Sequence, residues 1–271
     1  MSDRRDADTA AVVKGAQTID LQEEGSPGVL LLHGFGDTPQ TLSRLAQRLH
    51  KAGYGVLVPL LPGHGRTLRD FKQSRAEEWI NTARSALLEM RERNSAVSVV
   101  GLSMGGALAV LLAAEIRDIS SLILIAPYVG MPRLLRLAAA THWLWGGFAG
   151  EISARSPLSI HDPIEREKNL AYGLVTGRGL FELSKVMRRA KKVLPRVTAP
   201  TLIVQSREDP RVAPEVAEFA LAELGAKEKR LVWTEGAGHI ITVDYGRERV
   251  FSEVEKWLRA HNSHGATAGA K

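Results

Sequence analysis

Apolar residues punctuate this chain in two alternating styles. Short β-branched or leucine-rich runs occur at Val29–Leu32, Val56–Pro59, Val97–Val100, Leu122–Ile125, Thr201–Gln205 and Arg230–Thr234. They lack polar alternation, which predicts strands covered on both faces. Between them the spacing turns helical. Thr38–Lys51 places Leu42, Leu45, Ala46 and Leu49 on one face, and Ala76–Arg93 does the same with Trp79, Ile80, Ala83, Leu87 and Met90. Met104–Ile116 is nearly all apolar and predicts a buried helix. Pro214–Leu224, opening on proline, and Arg247–Ala260 are amphipathic. Strand and helix in alternation predict an α/β protein, a mostly parallel sheet with helices on both faces.

Such sheets carry their reactive loops at the carboxyl ends of the strands. Here those ends hold His33-Gly34-Phe35-Gly36 after the first run, Gly101-Leu102-Ser103-Met104-Gly105-Gly106 after the third, "SREDP" after the fifth and "EGAGHIIT" after the sixth. The alternation breaks between the fourth and fifth runs. Residues 130–194 show no convincing strand; they predict helices near Pro132–Thr141 and Gly179–Val193 with the aromatic stretch "THWLWGGFAG" between them. That is too long for a simple crossover of about a dozen residues, so a helical insert covering the strand ends is expected. The expected organisation is a core over residues 12–129 and 195–260, the insert at 130–194, and polar, disordered tails at 1–11 and 261–271.

Composition narrows the function classes. The 271 residues are 44% hydrophobic and 24% charged and contain no cysteine, which excludes disulfides, thiolate metal sites and cysteine nucleophiles. No apolar run reaches the roughly 18 residues of a membrane helix, and the N-terminus lacks a secretory apolar core. A cytoplasmic protein without stable membrane insertion is the expectation. The net charge is +6, and residues 133–192, with 11 Lys/Arg against 5 Asp/Glu, account for all of it. No nucleic-acid motif accompanies that excess, so no nucleic-acid partner is expected.

The glycine knot around Ser103 carries the chemistry. A serine hydroxyl is a poor nucleophile until a base takes its proton and donors stabilise the oxyanion that forms. A very tight strand-to-helix turn exposes the hydroxyl and aims the next N–H at the reacting carbonyl. The turn demands strained dihedrals and close backbone approach, hence Gly101 and Gly105. A G-x-S-x-G pattern alone is weak; a buried strand before it and a buried helix after it are what lend it weight. With "LLLHGFGDTP" (30–39), "LPGHG" (61–65), "VVGLSMGG" (99–106), "PTLIVQSREDP" (200–210) and "GAGHIITVD" (236–244) in this order, the chain resembles an α/β-hydrolase. It is most similar to the bacterial carboxylesterase and monoacylglycerol lipase branch. The likeness spans about residues 28–260 and is weakest in the insert, which corresponds to the family's cap.

The resemblance implies a serine hydrolase cleaving short- to medium-chain acyl esters or monoacylglycerols through an acyl-serine intermediate, with a small-molecule ester as substrate and no metal or organic cofactor. Ser103 is the expected nucleophile and His239 the general base and then acid. Asp209 is the expected orienting acid, although Glu208 is one residue away; the family's spacing from the strand end at Ser206 favours Asp209. The backbone N–H groups of Phe35 and Met104 are the expected oxyanion donors. His33 and His64 are expected to shape the rim, and Asp37 and Asp244 to be solvated or capping residues. Trp143, Leu144, Trp145 and Phe148 read either as core beneath the insert or as the lining of an acyl tunnel, and "KVMRRAKKV" as a solvated helical face. Two other readings stand beside esterase action: a lysophospholipase or another acyl or carbon–carbon hydrolase of this fold, and a non-catalytic binding protein that kept the scaffold.

Overall fold

The computed structural model describes residues 11–21, 23–145, 151–153 and 156–262. A seven-stranded sheet is built from β1 (Ile19–Leu21), β2 (Gly28–Leu32), β3 (Gly55–Val58), β4 (Val97–Leu102), β5 (Leu122–Ile125), β8 (Thr201–Ser206) and β9 (Lys229–Thr234). A small ribbon pairs β6 (Glu151–Ser153) with β7 (Leu174–Thr176). The sheet order is β1-β3-β2-β4-β5-β8-β9, parallel throughout except for the antiparallel edge strand β1. Chain order reverses on either side of β2, so β4 and its neighbours open their C-terminal ends onto a common crevice. All six predicted strands are present. β1 was not expected, because three residues of "IDL" carry no periodicity to read.

Helices cover both faces. On one side lie α3 (Ala76–Arg93), α4 (Met104–Glu115), α8 (Gly177–Val193) and α9 (Pro214–Glu223); on the other lie α1 (Ser43–Lys51) and α10 (Arg247–Asn262). The predicted Thr38–Lys51 helix begins instead as a 3₁₀ turn at Pro39–Leu42 before α1. Trp79, Leu87, Met90, Leu108 and Val186 fill the first layer, and Leu45, Leu49, Phe251, Val254 and Leu258 the second. α4 is buried on nearly every side, as its all-apolar sequence requires. α10 runs to Asn262, whose Oδ1 accepts a hydrogen bond from Ser98 Oγ at 3.0 Å. Residues 261 and 262 therefore belong to the fold. The remainder of the expected C-terminal tail, and the N-terminal tail up to residue 10, lie outside the described residues.

The short helices α2 (Leu68–Gln73), α5 (Arg133–Ala140), α6 (His142–Trp145) and α7 (Pro163–Lys168) complete the set. Between β5 and β8 the chain carries α5, α6, the β6–β7 ribbon, α7 and α8. The ribbon corrects the expectation that this stretch holds no strand: each of its strands is three residues long, too short for alternation to register. α8 is more than a lid element. Its Leu183, Val186, Met187 and Ala190 are buried in the same layer as α4, while Arg188, Arg189, Lys191 and Lys192 are exposed and Lys185 is half-buried against Glu182. By contrast Leu134, Leu137, Trp143 and Leu144 stand 78, 62, 73 and 55% exposed. Trp143 and Leu144 are thus neither core nor tunnel lining. Phe148 lies outside the described residues.

Candidate active site

The turn after β4 shows what its glycines are for. Ser103 has φ 56° and ψ −116°, outside the regions an L-residue normally occupies. A Cβ on Gly101 would collide with the Gly105 backbone, and one on Gly105 with the Leu32 carbonyl. Both positions exclude side chains so that β4, the turn and α4 can pack against β2. The strained turn is stapled on both sides. Ser103 N–H donates to the Ile125 carbonyl at 2.9 Å, and the Ser103 carbonyl accepts from Gly106 at 2.9 Å and Tyr128 at 3.1 Å. The N–H of Met104, at the first turn of α4, has no acceptor within its own helix.

Three side chains from separate loops converge above this turn. His239 Nε2 lies 2.8 Å from Ser103 Oγ, and His239 Nδ1 lies 2.8 Å from Asp209 Oδ2. A carboxylate only accepts, so Nδ1 carries the proton and Nε2 is left as acceptor for the serine hydroxyl. Asp209 is held by further donors: Gln205 Nε2 to Oδ2 at 3.0 Å, and the N–H groups of Arg211 and Val212 to Oδ1 at 2.8 and 3.0 Å. Burial alone would push this carboxyl up. The charge and hydrogen bond of His239, with the two backbone donors, outweigh it and hold Asp209 below its ordinary value. Glu208 goes elsewhere, accepting from Gly236 N–H at 2.7 Å on the surface. Between adjacent acids, the structure brings only Asp209 to the imidazole.

The "HGFG" loop abuts Ser103: a Cβ on Gly34 would sit 3.4 Å from the Ser103 Cβ. His33 fixes this loop from beneath and not from the rim. It is fully buried, its Nε2 accepts from Leu61 N–H at 3.1 Å, and its Nδ1 therefore donates to the Gly34 carbonyl at 3.0 Å. Burial, aided by neighbouring His64, pushes His33 down to about 3 against the Gly34 bond. His64 is likewise buried, not rim-forming; its Nδ1 donates to the Pro62 carbonyl, and burial lowers it to about 4. The Phe35 ring both packs and lines the cavity. It lies 4.9 Å from Phe71 and 5.7 Å from Trp79 between ring centroids, and it faces the same space as Ser103.

Asp37 and Asp244, expected to be solvated or capping, are both buried. Asp37 accepts from Thr38 N–H and Thr41 Oγ, each at 2.8 Å, at the start of the Pro39–Leu42 turn. Burial pushes it up to about 6, against the two hydrogen bonds and the nearby His239 and Arg211. Asp244 is fully buried and accepts four backbone N–H groups: Gly238 at 2.7 Å, His161 at 2.8 Å, Tyr245 at 2.8 Å and Asp162 at 2.9 Å. It ties the residue preceding His239 to the segment between β6 and α7. Ile240 N–H to the Ser159 carbonyl (3.0 Å) and Arg211 Nε to Ser159 Oγ (2.9 Å) fasten the same segment to the loops carrying His239 and Asp209. The signal for Asp244 was an acid five residues after the histidine; nothing local in the sequence marks its partners some 80 residues away.

Above the three side chains lies a cavity of about 940 Å³. Ser103 and His239 are at its floor, and Leu135, Ile152, Ile160 and Val175 of the inserted segment form much of its apolar wall. This is the size and character of a small-molecule site. Among the described residues no group of three or more potential metal ligands occurs, and no helix is long and apolar enough to cross a membrane.

Comparison with known proteins gives the family. Residues 26–245 match the model of the Hydrolase_4 family, described as serine aminopeptidase, S33. The chain is 30% identical to the thermostable monoacylglycerol lipase of Bacillus sp. (strain H-257) over 250 residues, 92% of this chain and 97% of that one. It is 23% identical to a carboxylesterase of Bacillus subtilis over 86% of this chain and 93% of the relative. Among solved structures, a lipolytic enzyme of the metagenome-derived pair LipS and LipT superposes with a TM-score of 0.84 at 31% identity, covering 93% of this chain and all of that one. The chain belongs to the Hydrolase_4 family as an ester-hydrolysing α/β-hydrolase.

Proposed function

We propose that Ser103, His239 and Asp209 are the catalytic triad of this ester hydrolase, and that its substrates are short- to medium-chain acyl esters or monoacylglycerols. The observation that carries the proposal is the unbroken relay of 2.8 Å from Ser103 Oγ to His239 Nε2 and of 2.8 Å from His239 Nδ1 to Asp209 Oδ2 on the floor of the cavity. His239 takes the proton as Oγ attacks the ester carbonyl, and Asp209 stabilises the imidazolium that forms. The N–H groups of Phe35 and Met104 receive the developing oxyanion. Collapse of the tetrahedral intermediate expels the alcohol, which takes the proton from His239. Water then repeats the sequence on the acyl-serine and releases the acid. The apolar wall supports an acyl chain as the group bound there, and the monoacylglycerol lipase among the relatives supports glycerol as the alcohol. A cytoplasmic setting belongs to the same reading and is supported by the absence of cysteine.

The test is hydrolysis of p-nitrophenyl butyrate and 1-butyrylglycerol, with labelling by a fluorophosphonate probe. Ser103→Ala is expected to abolish labelling and to lower kcat by about 10⁴-fold or more. Turnover that survives this substitution defeats the assignment, and a folded wild type that neither labels nor turns over would be a binding protein on a hydrolase scaffold.

A further inference from the structure

A second cavity of about 560 Å³ adjoins the first, and Pro132, Pro210 and Arg211 line both. Its walls are unlike those of the catalytic cavity. Four cations reach it from three elements: Arg136 from α5, Arg188 and Lys191 from α8, and Arg211 from the loop after β8. The acids lining it among the described residues are Asp209, committed to His239, and Glu215. Its floor is apolar, with Met131, Met187 and Phe219, and Lys191 Nζ stands 4.4 Å over the Phe219 ring. An apolar floor under several cations suits an anion attached to carbon, and guanidinium groups favour a multi-oxygen anion that accepts in a fork. The shared wall places this basic space next to the catalytic cavity, beside the loop that carries Asp209.

We propose that this side cavity binds a phosphate monoester on the alcohol of the substrate, making single-chain acylglycerol phosphates the preferred esters. This rests on the triad reading above. The chemistry is unchanged: Ser103 Oγ forms the acyl bond, the carbonyl–oxygen bond of the ester breaks, glycerol phosphate leaves with the proton from His239, and water completes hydrolysis. The acyl chain occupies the apolar cavity, while Arg211, Arg136, Arg188 and Lys191 receive the phosphate.

The experiment compares kcat/KM for 1-butyrylglycerol 3-phosphate and 1-butyrylglycerol, both monomeric in solution, so that no lipid surface takes part. Wild type is expected to favour the phosphorylated ester by about tenfold or more at low salt, with the preference shrinking as ionic strength rises. The double substitution Arg136→Glu/Arg188→Glu is expected to remove that preference. Lys192→Glu, on α8 but outside the cavity, is expected to keep it. A wild-type ratio at or below one, a ratio that the double variant leaves intact, or an equal effect of Lys192→Glu overturns the proposal. A cavity for free phosphate would show itself as inhibition by inorganic phosphate that the double variant abolishes while the substrate ratio stays at its wild-type value, and this too overturns it. If 1-butyrylglycerol is hydrolysed without any preference, only the phosphate proposal falls; if neither ester is hydrolysed and the protein neither takes the fluorophosphonate label nor turns over p-nitrophenyl butyrate, the triad reading falls with it.

Discussion

The floor of the catalytic cavity and the outer face of the insert are made on opposite terms. At the floor and just beneath it, the groups that set the geometry are held from several directions. Asp209 has four donors, Asp244 has four, and Ser103 is stapled through both its N–H and its carbonyl. On α5 and α6, Leu134, Leu137 and Trp143 stand largely in solvent. Reaction geometry tolerates errors of well under an ångström, whereas a surface that only shields or admits substrate tolerates variation. The boundary between the two regimes does not follow the boundary of the insert. The segment from Leu158 to Asp162, although inserted, is bound to the loops of both His239 and Asp209.

The sharpest break in this comparison concerns neighbouring acids. Asp209→Asn is expected to lower kcat by about 10⁴-fold through loss of the imidazole's tautomer, while Glu208→Gln, one residue away, is expected to leave it within a factor of a few. Steady-state kinetics on p-nitrophenyl butyrate separates them; equal effects would refute the distinction drawn between the two residues. Next in size is Asp244→Asn. An amide turns one acceptor oxygen into a donor facing N–H groups, and buried unsatisfied groups cost about 1–3 kcal/mol each. A melting temperature lower by several degrees is expected, with kcat reduced about 10- to 100-fold as the His239 loop loses its register and KM little changed. An unaltered kcat in the folded variant would reduce Asp244 to a purely structural tie.

A smaller effect separates the buried histidines from the buried acids. His33 and His64 are lowered to about 3 and 4. Unfolded imidazoles bind protons below about 6.5 while these two stay neutral, so acid pulls the chain toward the unfolded state over that window. Asp209, also lowered, adds stability that is present above the ordinary carboxylate range and lost as pH falls through its folded value. Asp37, raised to about 6, acts in the opposite sense: its contribution is full at low pH and lost as pH rises through 6. The histidines outnumber it, so the melting temperature is expected to fall as pH drops from 7 to 4.5. His64→Phe should flatten that fall, which melting curves across the range would measure. At the small end, Trp143→Ser on the insert face is expected to change stability by no more than about 0.5 kcal/mol; a large loss in denaturant titration would mean that this face is covered.

What the sequence disclosed follows from the range of the interactions involved. Buried strands and amphipathic helices are local patterns, and Leu122–Ile125 and Ala76–Arg93 match their predicted bounds. The knot at Gly101–Gly106 was legible because steric exclusion by a single Cβ leaves glycine as its mark. Asp209 could be told from Glu208 only by family spacing, since the two differ in direction and not in chemistry. His33 and His64 lie beneath the loops and not at the rim, and Asp37 and Asp244 are buried, because hydrogen-bond partners receive them inside; of these partners Leu61, His161 and Asp162 are brought near only by the fold, and polar residues read as exposed until such partners are known. The β6–β7 ribbon was lost because three residues hold no period.

The left-handed backbone at position 103 has one more consequence. An achiral residue there would relax without strain, so replacing the nucleophile by glycine should yield a protein that is inert yet tougher toward heat. In this chain, natural drift toward greater robustness at that turn would lead away from turnover.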